Sequence, residues 1–345
     1  MPVILANPLC YTRQMLLLIP HLFPTKQLLK AAAPDLRLPG LQTLLARGTS
    51  QSCAAEGVEA ALCTALGVSR QQDWPLAPIT LAADGGEARD AYWLRADPVH
   101  LRVMRDRIVL ADADALSLSR EEADALADAI GQHFGADLRP LPLHPRRWYL
   151  RFPVAPNLTT TPLSVAVGRD IDLLLPRGGD AMRFRSQLNE LQMLLHEHPV
   201  NQTREARGEL PVNSLWLWGG GQQPAASRML SIAIYTRDPE AQALGAFCNA
   251  RVHALPAQLD AQLLKVSGII LLDGLIPSGQ VGDACGWREA LRELEQDWFV
   301  PLLGTLRKIG PRGLRLLDPV NGKALHLQPR DAWKVWRRPH RLISM

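Results

Sequence analysis

His196–Gly221 reads HEHPVNQTREARGELPVNSLWLWGGG. It opens on a turn-forming His-Pro-Val-Asn and carries two arginines, Arg204 and Arg207. It closes on a short apolar run, Leu215 to Trp218, that flows into Gly219, Gly220 and Gly221. An apolar strand-length run entering glycines is one way α/β proteins bring backbone N–H groups up to an anion. Arginine grips phosphate or carboxylate with paired hydrogen bonds. Together these features mark a candidate site for a small anionic ligand. The bland alternative is a tight turn flanked by two surface arginines. If the run is a strand, Trp216 and Trp218 share one face.

Downstream, strand and helix patterns alternate. MLSIAIYT, residues 229–236, reads as a strand, PEAQALGAFCNAR as a helix, and ALPAQLDAQLLK as another helix. SGIILLDGL, 267–275, has the unbroken apolar run of a fully buried strand, and 287–309 the stripe of a long amphipathic helix. A hairpin is expected around Asn321-Gly322. Upstream, 15–19 reads as a buried strand, and helices at 38–48 and 56–66 are closed by Gly48 and Gly67. Two prolines in DWPLAP, 73–78, argue against a regular helix. A strand from Ala91 turns at Asp97-Pro98, and 107–114 and 146–152 read as further strands. Ser119 with Glu122 caps a helix over 120–134, and the chain's strongest helix spans 183–198. This alternation predicts an α/β sheet covered by helices on both faces, with a smaller α+β lobe inserted in the middle. The expected boundaries are 1–90 and 212–345 for the core domain and 91–211 for the lobe.

Composition narrows the function classes. Of 345 residues 47% are apolar and 21% charged, which supplies a sizeable core. The net charge of +4 is spread along the chain, so no nucleic-acid footprint is expected. KVWRRPHR, 334–341, concentrates basic residues, as a solvated tail or a contact for an anionic partner. Five cysteines without a CxxC pair point to reduced thiols in a cytoplasmic protein. No signal peptide is evident, and the early apolar patch 15–23 falls short of the roughly 20 residues a bilayer requires. No membrane partner is expected.

Other chemistry-bearing residues are few. His196 and His198, two apart on a helix, point in different directions and cannot chelate one ion, so a capping role is expected. Asp97 with His100 could orient a histidine for acid–base work, against a turn Asp followed by a buried His. Asp273 ends a buried strand and Asp283 lies in the loop beyond, where α/β enzymes place ligands. These four are the weak catalytic candidates, and no resident metal or cofactor is expected. Trp287, Trp298, Phe299, Trp333 and Trp336 read as core rather than as a stacking platform.

The segment HPVN…R..RGELPVNSLWLWGGG resembles the part of archaeal-type cofactor-independent phosphoglycerate mutases where an Asn-Arg run leads into a WxWGxG motif. LPGLQTLLARG is similar to an early helix of the alkaline-phosphatase superfamily, to which those mutases belong. GDACGWREALRELEQDWFVPLL is similar in rhythm to their late metal-ligand segment. DWPLAP, WLRADPVHL, HPRRWYLR and the LEQDWF…WRR ending look like a bacterial family of phosphoglycerate-mutase-like, RpfE-type regulatory proteins. The resemblance implies an alkaline-phosphatase-like fold. It also implies a ligand surface made of Arg204, Arg207, Asn213, Trp216, Trp218 and Gly219 to Gly221. Departures are as informative. The first strand runs into Ile19-Pro20-His21-Leu22 where the mutases carry Asp-Gly. Their late Asp-x-x-Gly-His is Asp283-Ala284-Cys285-Gly286-Trp287 here, and their strand-borne histidine falls near Asp273.

A two-metal site needs enough charge to hold both ions. The expectation is therefore a catalytically degenerate, cytoplasmic member with a regulatory or ligand-binding role toward a phosphorylated or carboxylated molecule. The first alternative is a metal-dependent phosphomutase or phosphohydrolase whose site is rebuilt from Asp97, His100, Asp273 and Asp283, with a divalent metal. The second is a protein-interaction scaffold using the Trp-rich C-terminal half.

Overall fold

The computed structural model describes residues 14–32, 35–105, 107–111, 116–225, 232–309 and 313–339. The chain divides into two compact units, 1–68 with 226–345, and 69–225.

The first unit is built on β1 (Met15–Leu18), β2 (Thr49–Ser52), β9 (Ala233–Tyr235), β10 (Arg251–His253), β11 (Gly268–Leu271), β12 (Leu314–Asp318) and β13 (Lys323–Leu327). Among the described residues they form one sheet, ordered β10-β9-β11-β1-β12-β13-β2. β1 lies in parallel between β11 and β12, with Leu17 opposite Ile270 and Leu316. The central strands read MLLL and GIIL because both of their faces are buried, so no polar alternation is needed. Leu17 and its register partners pack in one core with Leu41, Leu44, Trp287, Leu291 and Phe299. These come from α2 (Pro39–Arg47), α11 (Ala284–Leu294) and the π turn Glu295–Phe299, with α1 (Lys26–Ala32) alongside. Leu16 and its partner Ile269 face the other way, the side on which α9 (Pro239–Phe247) packs against Ile234 and α3 (Val58–Leu66) against α9. Helices therefore cover both faces.

The π turn has a local cause. Pro301, early in α12 (Val300–Thr305), has no N–H for the carbonyl of Asp297, which instead accepts from Leu259 at 2.9 Å. The turn also directs Glu295 to the first turn of α2, where it accepts from the N–H groups of Gly40 and Leu41.

The second unit carries β3 (Tyr92–Val99), β6 (Leu141–His144), β7 (Arg147–Phe152) and β8 (Ser214–Gly221), with a small pair, β4 (Leu101–Val103) and β5 (Ile108–Leu110), beside them. The larger sheet is antiparallel, ordered β6-β7-β3-β8. α5 (Arg120–Phe134) and α7 (Ala181–His196) close one face over Leu94, Trp148, Leu215 and Leu217. α4 (Leu76–Ala83) closes the other over Trp93 and Tyr149. The short α6 (Leu163–Ala166) and α8 (Pro199–Ala206) complete the unit.

Several sequence expectations change here. The strand ending in three glycines pairs with β3, so it belongs to the inserted unit and not to the large sheet. The boundaries accordingly fall at 68/69 and 225/226 in place of 90/91 and 211/212. DWPLAP does start a helix: Pro75 is its N-cap and Pro78 sits in its first turn, where a missing N–H costs no hydrogen bond. His-Pro-Val-Asn is the start of α8, with Pro199 in its first turn, rather than a turn. β3 runs straight through Pro98, because its pairing with β7 ends at Arg95 and leaves that side without a ladder to break. ALPAQLDAQLLK is irregular up to a 3-10 turn at Leu263–Lys265. The expected strands at 229–236 and 107–114 extend in part over residues outside the described ones.

Candidate functional site

The opening stretch becomes a structural clamp in the second unit. Arg204 is 1% exposed. Its Nε donates to the Leu210 carbonyl at 2.9 Å, and its Nη1 pairs with Glu122 at 2.8 Å and Glu209 at 3.3 Å. Arg207, half exposed, pairs with the same two carboxylates at 2.7 and 3.2 Å. Glu122 also closes the capping box with Ser119 at the start of α5. Burial would raise the Glu122 carboxyl, but the Ser119 N–H and the two guanidinium groups outweigh it and hold the carboxyl below its ordinary value. The sequence expectation set an external anion against these arginines; Glu122 and Glu209 of the chain itself stand there instead.

The remaining residues of the stretch are equally engaged. Asn213 imitates a strand partner, accepting from Leu101 N–H at 2.7 Å and donating to its carbonyl at 2.9 Å. Trp216 donates to the Thr161 carbonyl at 2.8 Å and Trp218 to Asp97 at 2.7 Å. The glycines let other groups come close. A Cβ on Gly220 would overlap the Tyr92 hydroxyl, and one on Gly221 would meet Pro75 at 2.5 Å, just ahead of α4. Gly219 adopts φ 68°, which a side chain would strain. All three lie within β8, so the expected glycine turn at its end is strand, with the register against β3 shifting between Trp218 and Gly221.

Asp97 is 1% exposed and is held by Arg95 through both oxygens. It also accepts from the Trp148 N–H at 3.2 Å. His100 Nδ1 lies 2.9 Å from the Pro211 carbonyl, its contact with the chain segment entering β8. His198, expected to cap the end of α7, is instead the N-cap of α8 and accepts from Val200 N–H; burial holds its imidazole below the ordinary value.

In the first unit, chemistry-bearing residues gather where the parallel strands end, the usual ligand edge of such sheets. Beyond β1, His21 adopts φ 61°, a conformation costly for a residue with a Cβ. Asp318, at the end of β12, holds it there. One Asp318 oxygen accepts from the N–H groups of His21, Val320 and Asn321, and the other from Phe23 N–H and the Asn321 side chain. The His21 carbonyl accepts from the Trp287 indole at 2.9 Å, and its ring lies where a Cβ on Gly279 of α10 (Ile276–Val281) would fall. Trp287 thus fixes the loop that follows β1. Asp283 caps α11 by accepting from Cys285 N–H at 3.0 Å. Asp273 stands near Asp238, the N-cap of α9. Burial, with like charge from Glu240, Glu59 and Asp273, pushes the Asp238 carboxyl up to about 7 against the stabilising Ala241 N–H.

Asp97 and His100 are bound within the second unit, while Asp273 and Asp283 lie in the first. Among the described residues no three His, Cys, Asp or Glu side chains come together in a group able to hold a metal ion. Asp318, at the end of β12, and Asp283, the N-cap of α11, each accept from backbone N–H groups. Sequence reasoning missed Asp318, Asp238 and Glu59, and met His21 only as a departure from the related motif. Only Asp238-Pro239 carried a local signal, an N-cap followed by proline.

No family model matches the chain. It is 31% identical over 154 residues to a probable 2,3-bisphosphoglycerate-independent phosphoglycerate mutase of Geobacter sulfurreducens, covering 44% of this chain and 38% of that one. It is 29% identical over 147 residues to the 2,3-bisphosphoglycerate-independent phosphoglycerate mutase of Methanosarcina mazei, covering 40% of this chain and 36% of that one. The chain thus matches less than two-fifths of the length of these relatives. Among solved structures, the cofactor-independent phosphoglycerate mutase of Thermoplasma acidophilum aligns over 92% of this chain and 89% of that one, with 18% identity and a TM-score of 0.40. The chain is therefore distantly similar in sequence to cofactor-independent phosphoglycerate mutases.

Proposed function

We propose that this protein is a catalytically degenerate relative of the cofactor-independent phosphoglycerate mutases with a regulatory role of the RpfE type. The observation that carries this reading is the bonding of Asp318. At the end of β12, the strand beside β1, both of its oxygens are taken up by N–H groups of the loop after β1 and of the turn that follows β12. That loop presents His21 where the related motif has an aspartate. No phosphoryl-transfer step is assigned to these residues. A small phosphorylated or carboxylated ligand is the other form of the same reading. It has little support at Arg204 and Arg207, whose charges are met by Glu122 and Glu209.

The test is a thermal-shift screen of Mg²⁺, Mn²⁺, Zn²⁺ and phosphorylated metabolites, run beside mutase and phosphatase assays. The expected result is no metal-dependent turnover. Stoichiometric, tight Mn²⁺ or Zn²⁺ binding together with metal-dependent turnover would overturn the reading.

A further inference from the structure

Sequence reading put Trp333 and Trp336 in the core, yet they stand 60% and 72% exposed, with Val335 between them at 68%. Trp287 and Trp298, expected there on the same grounds, are buried. Large apolar groups left together in water mark contact surfaces more often than chance.

The segment is held firmly. Gln328 N–H donates to Asp331 at 2.8 Å, which closes the 3-10 turn Pro329–Trp333. Lys334 pairs with Asp331 at 2.6 Å and donates to the Arg47 carbonyl at 3.2 Å. Arg337 donates to the Ala46 carbonyl at 3.2 Å, and Arg47 donates back to the Ala332 carbonyl at 3.1 Å. These bonds tie the segment to the last turn of α2. They correct the expectation of a solvated tail for the described part of KVWRRPHR. The Arg307 guanidinium lies 3.9 Å from the centre of the Trp333 ring and fixes the indole. An indole held in place before binding loses less entropy on contact.

The charge around the two indoles is of one sign. Arg307, Lys308, Arg330, Arg337 and Arg338 are exposed. Within the turn Leu306–Lys308, α2 and 329–339, the one carboxylate is Asp331, which is buried and paired with Lys334. The complementary partner is therefore anionic and brings apolar side chains to the indoles and Val335. Tryptophan and arginine together are also the residues that dominate binding energy at protein interfaces.

We propose that this surface, Arg307–Lys308 with Arg330 and Trp333–Arg338, docks an acidic segment of another protein in which aliphatic or aromatic residues alternate with carboxylates. The proposal stands whether or not the chain is catalytic. A protein segment fits better than the two other anionic partners. A bilayer surface is met by an amphipathic helix, and here the exposed apolar groups sit on a 3-10 turn and the bend after it. A nucleic acid strand is tracked by a basic groove several nucleotides long, and these cations cluster around one turn.

The test uses the full chain and a fluorescein-labelled twelve-residue peptide of repeated Glu-Phe-Asp-Leu, read by fluorescence anisotropy. Comparison probes are the same peptide with lysine at the acidic positions, an oligo-dT strand, and vesicles of phosphatidylcholine with phosphatidylglycerol. The expected result is binding of the acidic peptide that weakens as salt rises. It should fall by about tenfold or more in Trp333→Ala/Trp336→Ala and in Lys308→Glu/Arg338→Glu, since loss of an interface anchor costs more than about 1.4 kcal/mol. Melting temperatures of both variants should stay near that of the parent chain, and Trp336→Phe should retain most of the affinity. Absence of acidic-peptide binding, equal binding by parent and variants, or tighter binding of the oligonucleotide or the vesicles would each overturn the proposal.

Discussion

Arg95 and Asp97, two residues apart on one face of β3, form a two-pronged ion pair, Nε to Oδ1 at 2.9 Å and Nη2 to Oδ2 at 2.8 Å. Both side chains are at most 2% exposed. The guanidinium lies 4.8 Å from the Trp218 ring centre and 5.5 Å from that of Tyr149, so the charge is sandwiched between aromatic faces. Two charges buried this deeply are tolerated because each completes the other.

Asp97→Asn should therefore destabilise the protein by roughly 3–5 kcal/mol, because it strands the Arg95 charge in the interior. Arg95→Met/Asp97→Leu should recover only part of that loss, since it removes both charges but leaves the Trp148 N–H and the Trp218 indole N–H without an acceptor. Urea denaturation of the single and double variants gives the comparison. A small effect of Asp97→Asn on stability, with a large one on some activity, would return Asp97 to the role of a reacting group.

Arg204 and Arg207 share carboxylates but differ in burial, so their substitutions should separate. Arg204→Ala leaves Glu122 short of its buried partner and should cost on the order of 3 kcal/mol. Arg207→Ala removes an exposed pair and should cost less than about 1 kcal/mol. Inorganic phosphate should raise the melting temperature of the parent and of Arg207→Ala equally. A phosphate response present in the parent and absent in Arg207→Ala would restore the anion-site reading.

Gly220→Ala should lower stability by about 1–3 kcal/mol, because the added methyl overlaps the Tyr92 hydroxyl. Tyr92→Phe takes that oxygen away, so the double variant should regain part of the loss in a double-mutant cycle. Strict additivity would mean that the clash is relieved elsewhere.

Asp238 makes stability depend on pH in an uncommon direction. Its folded-state value, about 7, lies above the ordinary carboxylate value, so the folded protein binds a proton that the unfolded chain has lost. Stability therefore falls as pH rises from about 4 to 7, and the loss is complete above 7. Solvent reaches part of the side chain, so the slope should stay below the roughly 1.4 kcal/mol per pH unit that one proton allows. Asp238→Asn, which can still cap α9, should flatten the melting-temperature profile between pH 5 and 8 and be at least as stable as the parent at pH 8. A parallel profile in the variant would assign the effect to other groups.

Legibility in the sequence followed how local each constraint was. Ser119 and Glu122 lie three apart and cap one helix, so the box over α5 could be read directly. β1 and β11 were legible because strands buried on both faces need unbroken apolar runs. The Asn321-Gly322 hairpin followed from turn chemistry, with Gly322 at φ 65°. The prolines at 75 and 78 misled because their effect depends on where a helix starts, and that start was set by packing of α4 against β3 and β8.

The candidate site was the least legible part. The apolar run Leu215–Trp218 determined that a strand forms, and its alternation placed both tryptophans on one face. It held no information about which strand it would join, because pairing partners are chosen by contacts far along the chain. Only the tertiary structure set β8 beside β3, brought Glu122 to Arg204 and Arg207 from more than eighty residues away, and closed the Gly220 backbone against Tyr92. Charge and hydropathy gave the residue types from which a site could be made. Whether an arginine meets a ligand or a glutamate, and whether a tryptophan is core or surface, depended on long-range neighbours, and these turned the opening stretch inward and Trp333 and Trp336 outward.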